Sequence, residues 1–192
     1  MTTSAATGSV SETFARVLEE KKRAFIPFIC AGDPNLDATK KALKVLDDAG
    51  ADIIELGVPY SDPLADGPVI QASATRALAN GATLNKVIDL VREVSPTIAA
   101  PIVMFTYYNP IYQRGVDAFC RDIAAAGAKG LLVPDIPLEE TYEVSEIASK
   151  HGIELVLLST PTTPVERAKK IAMATKGFVY LVSVTGVTGV QT

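Results

Sequence analysis

The chain has few of the residues that build disulfide frameworks or metal sites. Its 192 residues include 2 cysteines, 1 histidine and no tryptophan. Small disulfide-dependent domains need several cysteines, whereas Cys30 and Cys120 lie singly in an apolar stretch and a helical stretch. With His151 as the only histidine, the chain also has too few soft ligands for a zinc site. We therefore expect neither a disulfide nor a metal, and a reducing compartment.

Positive charge and long apolar runs are also scarce. The 18 Lys and Arg residues are outnumbered by 22 Asp and Glu residues, for a formal net charge of -4. Nucleic acid is therefore a poor candidate partner, because its binding needs a positive field. No apolar run reaches the roughly 18 residues of a membrane span, so we expect no membrane partner. Residues 1–10 are expected to be a flexible N-terminus, although their Ser/Thr/Ala-rich composition also fits the tail of an organellar transit peptide.

The hydrophobic content and the order of the predicted elements indicate one globular α/β domain. Hydrophobic residues make up 48% of the chain, enough for a sizeable core at single-domain length. The predicted strands are short Val/Ile/Leu runs at residues 24–31, 52–56, 102–107, 130–133, 154–158 and 178–183. The predicted helices are residues 11–22, 36–49, 69–80, 84–94, 116–126, 138–150 and 164–174, the first preceded by a capping-box pattern at Ser9 and Glu12. This alternation predicts a parallel sheet covered on both faces.

The polar residues favour a (β/α)8 (TIM) barrel over an open, doubly wound sheet. Polar side chains fall at or just after the ends of five strands, namely Asp33, Glu55, Tyr107, Asn109, Asp135 and Thr160. A barrel gathers such strand ends into one ring, whereas an open sheet spreads them along a crevice. A typical barrel has eight strands in about 250 residues, and six are predicted here. We therefore expect residues 1–192 to be a single, incomplete barrel domain with about six β/α units.

Two carboxylates are the strongest candidates for acid–base chemistry. Glu55 ends an otherwise apolar strand, and we expect it to point into the barrel mouth among Ile53, Phe28 and Leu157. Burial there would raise its pKa and make it a proton donor near neutral pH. Asp66 follows on a proline-rich loop, where better solvation would keep it ionised. The alternatives are a structural carboxylate at Glu55 and a helix cap at Asp66.

The stretch around these carboxylates resembles a known family. Residues 54–67, Ile-Glu-Leu-Gly-Val-Pro-Tyr-Ser-Asp-Pro-Leu-Ala-Asp-Gly, are similar to the signature of the tryptophan synthase alpha chain family. Five further stretches resemble the family in the same order and spacing: residues 27–34, 105–110, 133–137, 159–164 and 186–189. Among them are Phe-Thr-Tyr-Tyr-Asn-Pro and Ser-Thr-Pro-Thr-Thr-Pro. The family's fold is a TIM barrel, in agreement with the strand-end argument.

The resemblance implies an activity and a role for each carboxylate. The family cleaves indole-3-glycerol phosphate to indole and glyceraldehyde 3-phosphate, a step of L-tryptophan biosynthesis. By resemblance, Glu55 is the acid/base that protonates indole C3 and handles the glycerol hydroxyl proton. Asp66 receives the indole N–H and stabilises the positive charge that develops on the ring. This division fits the chemistry, because protonation of C3 needs one protonated acid and one fixed anion.

Further residues are assigned to substrate binding by the same resemblance. The expected indole pocket consists of Phe28, Phe105, Leu157 and Tyr180, although ordinary core packing is the alternative for all four. Thr188 and Gly189 match a loop that closes over the substrate. The family's main phosphate-binding loops follow strands seven and eight, and we find no match to them in this sequence.

The resemblance also implies a partner. In the family, an alpha2beta2 tetramer forms with a beta chain that carries pyridoxal phosphate, so we expect no cofactor in this chain. The residues that match the beta-chain contact are Pro59, Asp62, Pro63, Asn109 and Pro137. The expected compartment is the cytoplasm or the plastid stroma. Three alternatives stay open: a lyase that releases free indole, a non-catalytic barrel remnant that binds the beta chain, and a phosphate-sugar isomerase.

Overall fold

The computed structural model describes residues 8–183, which contain one six-stranded parallel β-sheet. The strands are β1 (Phe28–Cys30), β2 (Ile54–Gly57), β3 (Ile102–Phe105), β4 (Gly130–Leu132), β5 (Glu154–Ser159) and β6 (Val179–Leu181). They are hydrogen-bonded in chain order, and every neighbouring pair is parallel. A doubly wound sheet reverses its strand order at a switch point, whereas a (β/α) barrel does not. The strand order therefore supports the barrel.

Helices connect the strands in the predicted alternation. They are α1 (Val10–Glu19), α2 (Leu36–Asp48), α3 (Pro68–Ala79), α4 (Leu84–Val94), α5 (Tyr108–Arg114), α6 (Val116–Ala126), α7 (Thr141–Lys150) and α8 (Val165–Ala174). Two short 3-10 turns, Ser95–Thr97 and Leu138–Glu140, extend α4 and precede α7. Helices α4 and α6 have the predicted bounds, whereas α5 lies in a segment that the sequence pattern did not mark as helical. Among residues 8–183, none of the helices has the length and apolar content that crossing a lipid bilayer would require.

The two faces of the sheet carry separate apolar layers, because successive side chains of a strand point to opposite faces. The outer layer, which packs against the helices, includes Ile54, Leu56, Met104, Leu131 and Leu155. The inner layer consists of Ile53, Val103, Leu132 and Val156 together with Val10 from α1. A strand residue two positions before or after a member of the inner layer therefore points to the inner face of the sheet.

Helix α1 covers one end of this inner layer. Ser9 caps it through the predicted capping box, in which Ser9 Oγ accepts from Glu12 N and Glu12 Oε2 accepts from Ser9 N. Val10 is fully buried, and the Phe14 ring lies 5.2 Å from the Phe178 ring. The prediction of a flexible N-terminus over residues 1–10 is therefore wrong for Ser9 and Val10, because Ser9 caps α1 and Val10 is buried. Residues 1–7 lie outside the described part of the chain.

Candidate active site

Glu55 lies on the inner face of β2. It lies two residues after Ile53 of the inner layer, so the two side chains point to the same face. Glu55 is 4% exposed. In the strand register it is paired with Phe28 on β1 and with Val103 on β3. Burial disfavours the charged carboxylate and raises the pKa of Glu55 to about 7. This carboxyl group can therefore give or accept a proton near neutral pH.

Three aromatic rings line the same face. The ring centroids of Phe28 and Phe105 are 5.5 Å apart in an edge-to-face arrangement, and those of Phe105 and Tyr180 are 6.1 Å apart. The ring of Phe28 lies directly over Gly57, where an added Cβ would come within 2.6 Å of Phe28 Cζ. A glycine at the end of β2 is therefore what allows Phe28 to lie against the sheet beside Glu55.

Asp66 reaches this region from the loop between β2 and α3. Its backbone N–H donates to the carbonyl of Pro63 at 3.0 Å, and its carbonyl accepts from Gln71 Nε2 at 2.8 Å. Gly67 is the N-cap of α3 and Pro68 is its first residue, so the alternative role of Asp66 as the helix cap is not what the structure has. Partial burial raises the pKa of Asp66, and a side-chain hydrogen bond with Tyr107 opposes that shift.

Tyr107 connects the Asp66 loop to β3. Its side chain is buried, and its hydroxyl accepts a hydrogen bond from Ala65 N at 3.0 Å while also bonding the Asp66 carboxylate. The Tyr107 ring stacks on Tyr60 at 5.2 Å, and Tyr60 Oη accepts from Asn109 Nδ2 at 3.0 Å. The sequence marked Tyr107 as a polar residue at a strand end but gave it no role. Its contact with Asp66, which lies on another loop, appears only in the fold.

The two carboxyl groups and the rings share one neighbourhood. Tyr180 has a raised pKa, first because of burial and then because of the negative charges of Glu55 and Asp66. A cavity of about 20 Å³ is lined by Asp66 together with Phe28, Phe105 and Tyr107. The structure thus brings together five of the residues predicted for the site: Glu55, Asp66, Phe28, Phe105 and Tyr180.

Leu157 corrects the sequence-based prediction, because it lies on the opposite face of β5. It is 5% exposed and belongs to the outer layer, with Ile171 of α8. Its neighbour Leu158 lies two residues after Val156 of the inner layer. Leu158 therefore points toward the pocket. Because side chains alternate between the two faces of β5, either Leu157 or Leu158 had to point toward Glu55. The sequence alone could not show which of the two does so.

The five residues predicted for a partner interface differ in exposure. Asp62, Asn109 and Pro137 are exposed and Pro63 is half-buried, as a surface role requires. Pro59 is buried and lines the cavity beside Asp66, so its assignment to the interface is corrected. The predicted substrate residues Thr188 and Gly189 lie outside the described residues.

Other parts of the described chain offer less chemistry. Within residues 8–183, no three His, Cys, Asp or Glu side chains are grouped so that they could hold a metal ion. Burial raises the pKa of both cysteine thiols, Cys30 and Cys120, which keeps them in the unreactive protonated form. A groove of about 770 Å³ lies between α7 and α8, lined by exposed side chains such as Tyr142 and Met173. It is larger than the cavity at Asp66, but it contains no buried acid or base.

Comparisons with known proteins agree with this geometry. The family model for the tryptophan synthase alpha chain matches residues 14–192. The tryptophan synthase alpha chain of Picosynechococcus sp. is 60% identical over 184 residues, which are 96% of this chain and 70% of the relative. That of Arabidopsis thaliana is 58% identical over 189 residues, or 98% of this chain and 69% of the relative.

Solved structures give the same result for the fold. Tryptophan synthase subunit alpha from Legionella pneumophila matches with a TM-score of 0.86 and 38% identity, covering 91% of this chain and 67% of that one. A structure of Mycobacterium tuberculosis tryptophan synthase matches with a TM-score of 0.89 and 36% identity, covering 95% of this chain and 71% of that one. The chain thus spans about two thirds or slightly more of the length of these proteins.

Proposed function

The chain belongs to the tryptophan synthase alpha chain family, and we propose that it cleaves indole-3-glycerol phosphate to indole and glyceraldehyde 3-phosphate in L-tryptophan biosynthesis. Its α/β fold is that of the family's TIM barrel, with six consecutive parallel strands among the described residues. One observation carries the proposal: Glu55, whose pKa burial raises to about 7, and Asp66 both lie near Tyr180, whose ring is next to that of Phe105. This is the arrangement of acid and anion that a carbon–carbon lyase of this kind needs.

The reaction begins with protonation of the indole ring. Neutral Glu55 donates its proton to C3 of the substrate, which makes an indoleninium cation and leaves Glu55 as a carboxylate. The Asp66 carboxylate accepts the indole N–H and stabilises the positive charge on the ring. An anion fixed where positive charge develops lowers the barrier, and it does so more effectively when water is excluded.

Bond cleavage then restores the proton balance. The bond between C3 and the glycerol side chain breaks, and its electron pair returns to the ring and regenerates neutral indole. The glycerol hydroxyl loses its proton as its carbon becomes the aldehyde of glyceraldehyde 3-phosphate. Glu55, now ionised, is the base that accepts this proton, so the enzyme ends the cycle as it began.

The apolar lining suits the indole ring. Phe28 and Phe105 lie edge to face beside Glu55, and Leu158 points to the same side of the sheet. Such walls would bury the indole while leaving its N–H to pair with Asp66. Thr188 and Gly189 remain our candidates for the substrate loop, with Gly189 contributing to phosphate binding.

We further propose that a tryptophan synthase beta chain is the protein partner, in an alpha2beta2 tetramer. One similar structure is described as the tryptophan synthase complex from Pyrococcus furiosus, at 47% identity over 82% of this chain. The exposed residues Asp62, Asn109 and Pro137, with half-buried Pro63, are the proposed contact. They follow the C-terminal ends of β2, β3 and β4, on the same edge of the sheet as the loop that carries Asp66, so indole released at that edge would leave next to the proposed partner.

The proposed reaction uses no cofactor of this chain, because a carboxylic acid and a carboxylate supply the proton transfers and the charge stabilisation. Pyridoxal phosphate would belong to the beta chain. The relatives include cyanobacterial and Arabidopsis thaliana proteins, which supports the cytoplasm or the plastid stroma as the compartment.

The test is indole release from indole-3-glycerol phosphate by the purified 192-residue chain, with and without a beta chain. Circular dichroism first establishes that the chain is folded. Indole in either condition supports the lyase. A folded chain that releases no indole in both conditions, yet binds the beta chain, would overturn catalysis by this chain in favour of a binding role.

A further inference from the structure

Asp33, in the loop after β1, is held by two side chains of α3. Ser73 Oγ donates to Asp33 Oδ2 at 2.6 Å, Arg76 Nε donates to Oδ1 at 2.9 Å, and Arg76 Nη2 donates to Oδ2 at 2.6 Å. These hydrogen bonds lower the pKa of Asp33, with Arg76 as the larger cause. The Asp33 side chain is 17% exposed, and a two-pronged arginine–carboxylate pair fixes orientation as well as distance. We call Asp33, Ser73 and Arg76 the Asp33 cluster.

The Asp33 cluster joins the two segments that carry the acid and the anion. On one side, β1 leads into the Asp33 loop, and its Phe28 is paired with Glu55. On the other side, α3 begins at Pro68, directly after Asp66 and Gly67. A second contact at the far end of α3, from Asn80 Nδ2 to the Pro34 carbonyl at 2.6 Å, holds the helix to the same loop.

Apolar packing alone fixes α3 weakly. Only two residues of α3 are buried, Ala74 and Ala77, and both have small side chains. By contrast, five residues of α4 are buried, all of them Val, Ile or Leu. Because the free energy from burial scales with apolar area, α3 gains less from the core than α4 does. The position of α3 therefore depends more on its polar contacts with the Asp33 loop.

We propose that Asp33 and Arg76 are positioning residues that hold Asp66 in the pocket through α3. The proposal rests on the function proposed above only for the role of Asp66 in catalysis. Neither residue touches the reacting atoms in this scheme. With the Asp33 cluster broken, α3 and the Asp66 loop move toward solvent, and the Asp66 carboxylate loses its alignment with the substrate N–H.

The test uses Asp33→Asn and Arg76→Gln in the full 192-residue chain, with two readouts. Carbon-13 NMR titration reports the Asp66 carboxyl group directly, whether or not the chain is active. We expect its pKa to fall from its raised position toward the range of an exposed Asp, because the freed loop is solvated. In the indole-release assay we expect kcat to fall about tenfold, with little change in KM, because alignment rather than binding is lost.

The matched control is Glu139→Gln. Glu139 forms a similar two-pronged pair with Arg167, at 2.6 and 3.0 Å, between the turn before α7 and helix α8. Its loss should leave the Asp66 titration and kcat unchanged. Arg76→Lys, which keeps the charge, should recover part of the effect of Arg76→Gln.

The outcomes separate this proposal from the proposed function. An unchanged Asp66 titration in folded Asp33→Asn and Arg76→Gln chains overturns the proposal, and an equal change in the Glu139→Gln control does so as well. If Asp33→Asn does not fold, Ser73→Ala removes the Ser73 hydrogen bond to Asp33 but keeps the Arg76 pair, and it must shift the titration in the same direction by a smaller amount. If the unaltered chain releases no indole, the lyase function fails, while the titration still decides whether Asp33 and Arg76 position Asp66.

Discussion

Phe28 and Glu55 are directly paired residues of neighbouring parallel strands, so an aromatic ring and a carboxyl group lie side by side on the inner face of the sheet. The ring takes water away from the carboxyl group, and the absence of a side chain at Gly57 leaves space for the ring. The raised pKa of Glu55 follows from this packing rather than from a charged neighbour.

Replacing Glu55 with Gln should strongly reduce cleavage without unfolding the chain. The amide has nearly the same size as the carboxyl group but cannot donate a proton to indole C3. Loss of a general acid typically lowers rates by about 10² to 10⁴-fold, and we expect indole release to fall by that factor. Circular dichroism of the variant should match that of the unaltered chain. Retained turnover would show that another group protonates C3.

The same substitution should stabilise the chain at high pH. Burial raises the pKa of Glu55 to about 7 from an unfolded value of 4.5, so the folded chain holds this proton more tightly. Stability from the neutral carboxyl group is complete below the unfolded pKa and is lost as the pH rises through about 7. The glutamine side chain cannot ionise, so Glu55→Gln should be more stable than the unaltered chain at pH 8 by on the order of 3 kcal/mol, and by much less at pH 5.

Urea unfolding at the two pH values measures this difference. Glu146→Gln, at an exposed helical position of α7, is the control and should change stability equally at both pH values. A Glu55→Gln difference that is the same at pH 5 and pH 8 would contradict ionisation of Glu55 in the folded chain.

The pH dependence of kcat/KM for cleavage should be bell-shaped. Glu55 must be protonated to act, so the rate should decline above about pH 7, where it loses its proton. Asp66 must be ionised, and its pKa is raised by burial, so the acid side should decline at a higher pH than an exposed aspartate would give. Indole release measured from pH 4 to pH 9 gives both limbs. A rate that increases steadily through pH 8 would assign the opposite protonation state to Glu55.

Tyr107→Phe should lower activity by releasing the Asp66 loop. The substitution removes the hydroxyl that accepts from Ala65 N and bonds Asp66, while the stacked ring remains. A hydrogen bond to a charged group contributes about 1.5–3 kcal/mol, which corresponds to a loss of roughly tenfold to a hundredfold in kcat/KM. Tyr112→Phe is the control, because Tyr112 is 67% exposed on α5. Equal kinetics for the two variants would remove Tyr107 from the support of Asp66.

The sequence was sufficient for features that depend on local pattern. The bounds of α4 and α6 and the capping box at Ser9 and Glu12 follow from periodicity and capping chemistry, and the structure has them as predicted. Helix α5 was missed because Pro110 in its first turn resembles a turn signal. Proline is tolerated there, since the first turn has no intrahelical partner for its N–H. An Asp135 carboxylate oxygen accepts from Tyr108 N at 2.8 Å and satisfies one of these groups from another loop.

Contacts between distant segments could not be predicted from the sequence. Glu55 and Asp66 were found because they lie within one short motif. Arg76 was not, because its partner Asp33 is 43 residues away and only the packing of α3 on the β1 loop brings them together. The choice between Leu157 and Leu158 failed for a related reason. A one-residue error in strand parity exchanges the two faces, and no residue type distinguishes adjacent leucines.

Substitutions of Leu157 and Leu158 should have different effects on stability and on substrate binding. Leu157→Ala removes a buried side chain from the layer between β5 and α8, and it should lower the free energy of unfolding by about 2–5 kcal/mol. Leu158→Ala should cost less stability, because Leu158 is only partly buried. It should raise KM for indole-3-glycerol phosphate, since it shortens a wall of the indole pocket. Urea unfolding and indole-release kinetics on both variants measure the two effects. Leu157→Ala with unchanged stability and a raised KM would restore Leu157 to the pocket and reverse the assignment of the two faces of β5.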